Sequence, residues 1–419
     1  MNVMIKSSIQ PFDVIVIGGG ASGIMAAEIA GARGKHVLLI EKNKALGEKL
    51  KISGGGRCNI TNADYDIHRF LKHYGAAAPF LYSPFSQFGV EATFSYFESR
   101  GLPLVVQARN RAFPNTEKAF DVFSALYKDL KKNNVTIQLD CKVKKIMTEG
   151  KHIIGVETTM GSYAAASYIL ATGGSSHPET GSTGDGFRFL SRLGHTIKQP
   201  TPTIVPLAAK EQWVKSLAGV SLSFMKIVFY LEGKRQFAVT GKILFTHFGL
   251  SGPLILNCSS KVAGLLESGH VRAEIDAYPD TDLGALDAHI VNTFNVNKNK
   301  ALKRVLKEIV PHGTAEAIGT LIDGVDVETK VHSITKEQRK RIVHLLKALP
   351  VTITHLMGYD RAVVADGGVI LKEIDTRTMR SRLIENLFVT GDLLHINRPS
   401  GGYSLQLCWT TGYVAGNAV

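Results

Sequence analysis

Residues 13 to 23 read Asp-Val-Ile-Val-Ile-Gly-Gly-Gly-Ala-Ser-Gly, and residues 36 to 41 read His-Val-Leu-Leu-Ile-Glu. An apolar, β-branched run enters a glycine turn, small residues open a helix, and a second apolar strand ends in an acid. Gly18, Gly20 and Gly23 supply G-x-G-x-x-G: a tight turn, room for backbone to approach a pyrophosphate, and close helix–strand packing. A helix starting at Ala21 and Ser22 aims free N–H groups and its positive dipole end at that pyrophosphate. Glu41, 21 positions after Gly20, stands where a carboxylate accepts from both ribose hydroxyls and repels a 2′-phosphate. A glycine fingerprint alone is weak evidence. The five parts in this order predict a βαβ unit that binds a dinucleotide.

The opposite end of the chain indicates which one. Residues 387 to 394, Leu-Phe-Val-Thr-Gly-Asp-Leu-Leu, form another apolar strand running into Gly391 and Asp392. In two-part flavin folds such a carboxylate lies on the ribityl and phosphate linkage of FAD. A glycine-rich helix start follows at Ser400-Gly401-Gly402-Tyr403-Ser404, ahead of Leu405, and its N–H groups suit a flavin O2 that gains charge on reduction. Between the ends, Tyr168-Ile-Leu-Ala171-Thr172-Gly173-Gly174 is a third strand-to-glycine turn. A strand over 136–146 is expected to lay Val143 beside the adenine. Taken in order, these pieces favour FAD.

Lys51-Ile-Ser-Gly-Gly-Gly-Arg-Cys-Asn-Ile-Thr-Asn62, Arg111-Ala-Phe-Pro114, Thr183-Gly-Asp-Gly186, Phe245-Thr-His-Phe-Gly-Leu-Ser-Gly-Pro253 and Arg398-Pro-Ser-Gly-Gly-Tyr-Ser-Leu-Gln-Leu-Cys-Trp409 extend the argument. With them the chain resembles the BaiN-type NAD(P)/FAD-dependent oxidoreductases over nearly its whole length. That family includes reductases of steroid-type enones and oxidases of small amines or amino acids. The resemblance implies FAD and redox chemistry, and a substrate only loosely. It also implies that Arg111, Phe113, Pro114, Lys118 and Asp121 line or brace the FAD domain. Lys42 and Lys49 join the expected cofactor contacts.

A flavin exchanges hydride at N5, so the protein need only position the substrate and tune the ring. The loop Ser53-Gly54-Gly55-Gly56-Arg57-Cys58-Asn59 is expected against the isoalloxazine, because glycine lets backbone touch a flat cofactor. Arg57 would favour the anionic reduced ring, or else hold an ion pair. His177 is a candidate proton relay and otherwise a structural imidazole, at a position where many relatives carry an aromatic residue. Tyr403 could donate to a substrate carbonyl or simply pack. Cys58, Cys141, Cys258 and Cys408 are widely spaced, which argues against a zinc ribbon, another metal site or a local redox disulfide. A reactive Cys58 would require a depressed thiol pKa.

At 419 residues the chain suggests two or three domains on a scale of ~150 residues each. The expected fold class is α/β: a split FAD-binding Rossmann-like domain with two insertions. Residues 1–194 and 366–419 would build the FAD domain. A β-rich subdomain would take 195–280 and 351–365, with strands at 225–231, 236–239, 243–246 and 271–275 and a turn at Glu232-Gly233-Lys234. A helical subdomain would take 281–350, with Thr335 and Gln338 at capping-box spacing. No run approaches the ~18 apolar residues of a membrane span, and residues 1–10 do not read as a signal peptide, so a cytoplasmic protein is expected. The formal charge of +13 arises partly in runs at 128–145, 298–307 and 336–347, which read as solvated faces without nucleic-acid motifs. A small-molecule substrate is therefore expected, with no specific nucleic-acid partner.

With one dinucleotide fingerprint in the chain, NAD(P)H is expected as a transient reductant. Three functional readings follow: an FAD oxidoreductase acting as an alkene or carbonyl reductase or as an amine or amino-acid oxidase, an FAD-dependent RNA-modifying enzyme, or a flavin-binding module without turnover.

Overall fold

The apolar runs of the sequence align in parallel at the centre of the first unit. In the computed structural model, which describes residues 12–419, β1 (Phe12–Ile17) pairs with β2 (Val37–Ile40) on one side and with the strand Ala165–Leu170 on the other. The full order is Leu387–Val389, Ala165–Leu170, β1, β2 and then β6 (Thr136–Gln138), all parallel. Val14 to Ile17 and Val37 to Ile40 are almost wholly buried, as expected for strands covered on both faces. Helix α1 (Ala21–Ala32) packs against the C-terminal helix Tyr403–Ala418, so both ends of the chain build this layer. The signal-peptide expectation concerns residues 1–10, which lie outside the described residues.

The chain divides into two units, one running through Thr201 and resuming over Val363–Val419, the other Pro202–Ala362. The second unit holds a closed barrel of six strands: Leu207–Ala209, Gly249–Ser251, Lys234–Thr246, Ser221–Leu231, Val271–Asp276 and Leu349–Leu356. Its helices Leu283–Val296, Leu302–Ile309 and Lys336–Lys347 share a single apolar core with the barrel strands. Thr335 and Gln338 form the full reciprocal capping box.

Two local expectations are corrected. The segments read as separate strands at 236–239 and 243–246 are one strand, and Gly241 is inside it for packing: a Cβ there would lie 3.0 Å from Leu254 Cδ1. Conversely, the strand expected over 136–146 is two, β6 and Val143–Glu149, in different sheets. Between them Asp140 is left-handed at φ 51°. The Cys141 amide donates to Glu41 O at 2.9 Å, so the chain turns around the end of β2 before Val143.

No helix among the described residues is long and apolar enough to cross a membrane.

Candidate functional site

The strands of the parallel sheet deliver their carboxyl ends to one place, where open α/β sheets bind ligands. Gly18 is at φ 108°, and a Cβ on it would lie 2.4 Å from Ala171 O. A Cβ on Gly23 would lie 1.9 Å from Gly18 O. Those two glycines are required by the chain itself. Gly20 differs, because a Cβ there would meet nothing within 4 Å. It opens α1 with no side-chain cap and no acid in the first turn, which leaves amides of Ala21, Ser22 and their neighbours available to an anion.

Glu41 is buried at the end of β2. One of its carboxylate oxygens accepts from the Gly19 amide at 2.7 Å, the other from the Asn43 amide at 2.8 Å. The acid therefore braces the glycine turn and retains lone pairs for further donors. Beside it, Lys42 Nζ pairs with Asp185 at 2.8 Å and donates to Thr183 Oγ1 at 2.7 Å. At the end of the next strand, the Ala171 amide donates to Ile17 O at 2.9 Å. Among the described residues Thr172 Oγ1 is buried there without a partner, and Gly173 turns the chain at φ 72°.

Gly391 is left-handed at φ 62°, and a Cβ on it would crowd Ser22 Oγ at 2.8 Å. Asp392 follows, held by Arg398 and by Lys49 Nζ at 3.8 Å. Burial pushes the Asp392 carboxyl up, but Arg398 and Lys49 outweigh it and hold it below the ordinary carboxylate range. Burial in turn pushes Lys49 down, against the pull of Asp392, and its Nζ donates to Ser176 Oγ at 2.9 Å. An open glycine edge, an orphaned hydroxyl and buried charges at one sheet end fit a phosphorylated dinucleotide such as FAD.

The glycine loop forms a tight turn over Ser53–Gly56, with Gly54, Gly55 and Gly56 all at positive φ. Arg57 donates to Glu117 Oε1 at 2.9 Å, and its guanidinium centre lies 4.3 Å from the Phe113 ring centroid, so the ion-pair alternative is the arrangement present. Asn59, with its amide oriented to satisfy its neighbours, accepts from the Gly402 amide at 3.0 Å and donates to Ala112 O and Thr61 O. That network sets the loop beside the start of the C-terminal helix. Tyr403 is buried there, its ring among Phe70, His73 and Tyr74; burial pushes its hydroxyl up to about 12. Its carbonyl accepts from Tyr74 Oη at 2.9 Å, so Tyr403 anchors the helix. Ser404 Oγ accepts from Arg398 Nε at 3.1 Å, and Leu405 is partly buried against the core of this unit. His177 is left-handed at φ 53°, with Glu179 as its ring partner at 2.8 Å.

Cys58 is wholly buried, and burial pushes its thiol up to about 12. It thus lacks the exposure and the depressed pKa that a reactive thiol requires. Native protein at mildly alkaline pH should therefore show less than a tenth of the Cys58 alkylation by iodoacetamide seen after unfolding, by peptide mass spectrometry. Equal labelling in both states would contradict the burial.

Arg398, 3 % exposed, bridges Asp392 to Ser404, a role that its place in a family segment does not by itself disclose. The available signal was an arginine six positions after the strand-ending Gly-Asp.

The family model for the HI0933-like protein Rossmann domain matches residues 12–418. The chain belongs to this family. It is 30% identical over 414 residues to the 3-dehydro-bile acid delta(4,6)-reductase of Clostridium scindens, covering 96% of this chain and 98% of that protein. It is 26% identical over 404 residues to the ribosomal RNA dihydrouridine synthase of Escherichia coli, covering 96% and 97%. Among solved structures, the 3-ketosteroid-delta4-(5alpha)-dehydrogenase of Rhodococcus jostii aligns with a TM-score of 0.55 at 14% identity, over 99% of this chain and 98% of that one. The last similarity is one of fold. By class, this HI0933-like chain is an FAD-dependent oxidoreductase with a Rossmann-type domain.

Proposed function

We propose that this protein is a reductase that saturates a carbon–carbon double bond conjugated to a carbonyl, with FAD as its cofactor and NAD(P)H as transient reductant. One observation carries the reading. The two curated relatives above cover nearly the whole chain, and their names describe the same bond chemistry on very different molecules. A 3-keto delta(4,6) bile acid is a conjugated enone. The uracil double bond lost in dihydrouridine is likewise conjugated to a carbonyl.

The residues support this reading as a holder for FAD. Gly18 to Gly23 and the start of α1 would take the pyrophosphate, Glu41 the adenosine ribose, and Val143 and Ala171 to Gly173 the flanks. Lys42 would brace the loop carrying Asp185. Asp392, kept charged by Lys49 and Arg398, would face the ribityl linkage. Ser53 to Asn59 and Gly401 to Leu405 would border the ring, with Cys58 packed beneath. Bound FAD, once reduced by the nicotinamide, would supply the hydride. The protein's task is then to orient the alkene and to hold charge on its carbonyl oxygen.

The deciding experiment is anaerobic. NADPH or NADH should bleach the flavin within seconds, and a 3-oxo-Δ4 steroid acid or a uridine-containing ribosomal RNA should restore its colour. A flavin inert to both nicotinamides but reduced by small amines would overturn the reductase reading in favour of an oxidase.

The ribosomal RNA relative makes RNA a second reading for the molecule carrying the double bond, against the small-molecule expectation drawn from the basic runs, and a formal charge of +13 is compatible with it. Some basic residues are internal braces: Lys347 pairs with Asp276 at 2.8 Å and Arg339 with Asp287 at 2.7 Å. An RNA substrate should bind with an affinity that falls steeply with salt, whereas turnover of a steroid acid should change little.

A further inference from the structure

Strand β5 (Arg111–Pro114) pairs with β3 (Thr61–Asn62) on one side and with β4 (Leu104–Gln107) on the other. Alternation puts Arg111 and Phe113 on one face of β5. Phe113 on that face carries Arg57, and its Cε1 lies 3.6 Å from where a Cβ of Gly54 would stand. At the other end of the face, a Cβ on Gly401 would stand 3.9 Å from Arg111 Nε. Arg111 thus lies between the two glycine segments proposed to border the flavin ring.

Its electrostatic setting is unusual. Among the described residues, no acid and no hydrogen-bond acceptor engages the Arg111 guanidinium, while Arg57 has Glu117. Half-burial, and after it repulsion from Arg109 and Arg57, lowers its pKa. The fold holds this arrangement at a cost. Arg109 and Asn110, at the tip of the β4–β5 hairpin, are both left-handed at φ 62° and 56°, a conformation that non-glycine residues adopt only when their surroundings compel it. Asn62 Nδ2 fixes the tip by donating to Arg109 O at 3.0 Å and to Gly401 O at 3.3 Å. A half-buried cation kept free of acids lacks only a negative oxygen.

We propose that Arg111 is a catalytic residue whose guanidinium donates to the carbonyl oxygen conjugated to the double bond under reduction. This rests on the enone-reductase reading. Hydride, which flavin reduced by the nicotinamide would supply, adds to the β-carbon, the alkene pair moves to the bond between the α-carbon and the carbonyl carbon, and the carbonyl π pair moves to oxygen. Arg111 stabilises that enolate oxygen, and a proton from water completes the α-carbon as the carbonyl reforms. A remote carboxylate or phosphate of a large substrate is a poorer match, because Arg111 lies between the segments assigned to the ring. Preorganised donors aimed at a developing oxyanion are worth about 10²-fold or more in turnover.

The test uses the flavin-loaded protein and an enolate mimic. Wild type should bind 4-nitrophenolate about tenfold more tightly than uncharged 4-nitroanisole, measured by equilibrium dialysis. Arg111→Gln should abolish that preference, and Arg111→Lys should recover part of it. Reoxidation of dithionite-reduced protein by an enone should slow about 10²-fold in Arg111→Gln, mainly in kcat, with flavin content unchanged. Loss of flavin from the variant would overturn the proposal by making Arg111 a cofactor holder, and a phenolate preference that survived in Arg111→Gln would also overturn it. If wild type reduced no enone or uracil while the Arg111-dependent phenolate preference persisted, the reductase reading would fail and the anion contact would stand.

Discussion

Replacing Gly23 by alanine should leave little soluble protein and no bound flavin, whereas Gly20→Ala should fold and still lose its flavin. The new methyl of Gly23→Ala would sit 1.9 Å from Gly18 O and 3.1 Å from Ala171 Cβ, so α1 would have to withdraw from the sheet. It has nowhere to go. On its other side, a Cβ on Gly412 would already meet Ser22 O at 2.4 Å, and one on Gly416 would meet Ala26 O at 2.6 Å. The C-terminal helix is therefore in backbone contact with α1. Overpacking typically costs ~1–3 kcal/mol, and a helix clamped from both sides belongs at or above the upper end. Gly20→Ala meets no protein atom, and Gly20 has φ −83°, which any residue adopts. Its cost to folding is about 1 kcal/mol, the difference between glycine and alanine at a helix cap. Thermal melting and the ratio of flavin to protein absorbance separate the two effects. Full flavin occupancy in Gly20→Ala would mean that the dinucleotide does not approach over that opening.

That contrast also explains how much of the molecule was legible in its sequence. β1, the glycine turn, α1, β2 and Glu41 lie within 30 residues, and each is set by a local rule: an apolar run, a left-handed glycine, a strand-ending acid. The capping box at Thr335 is equally local. The free guanidinium of Arg111 depends instead on β5 pairing with β3 and on Gly401, some 290 positions away. Sequence pattern contains no such distance. Arg57 was legible as an ion-pair candidate, but its partner Glu117 arrives through the β4–β5 hairpin. Gly241 misled because a glycine in an apolar pattern suggests a break, while here it makes room for Leu254. The barrel closes through pairing of 271–276 with 349–356 around intervening helices, which alternation within a single strand cannot reveal.

Arg398→Met should destabilise the protein by about 3–5 kcal/mol, the usual penalty for removing one partner of a buried ion pair, and should lower flavin content as well. Arg398 is nearly inaccessible and ties Asp392 to Ser404 and to the Ile396 carbonyl at 2.7 Å. Its loss leaves Asp392 with Lys49 alone, at 3.8 Å. Adding Asp392→Asn to Arg398→Met should recover part of the stability, because the stranded charge is gone, but it should not recover flavin if Asp392 holds the ribityl linkage. The pH dependence supplies an independent check. In wild type the Asp392 carboxyl lies below its unfolded value, so its contribution is present above the ordinary carboxylate range and is lost as pH falls through the folded pKa. In Arg398→Met, burial meets less opposition and moves the carboxyl upward, so this acid-induced loss should shrink or reverse. Urea midpoints measured across the acidic range would show the changed slope. A variant with the wild-type midpoint, slope and flavin content would mean that Arg398 neither stabilises Asp392 nor supports the cofactor end of the sheet.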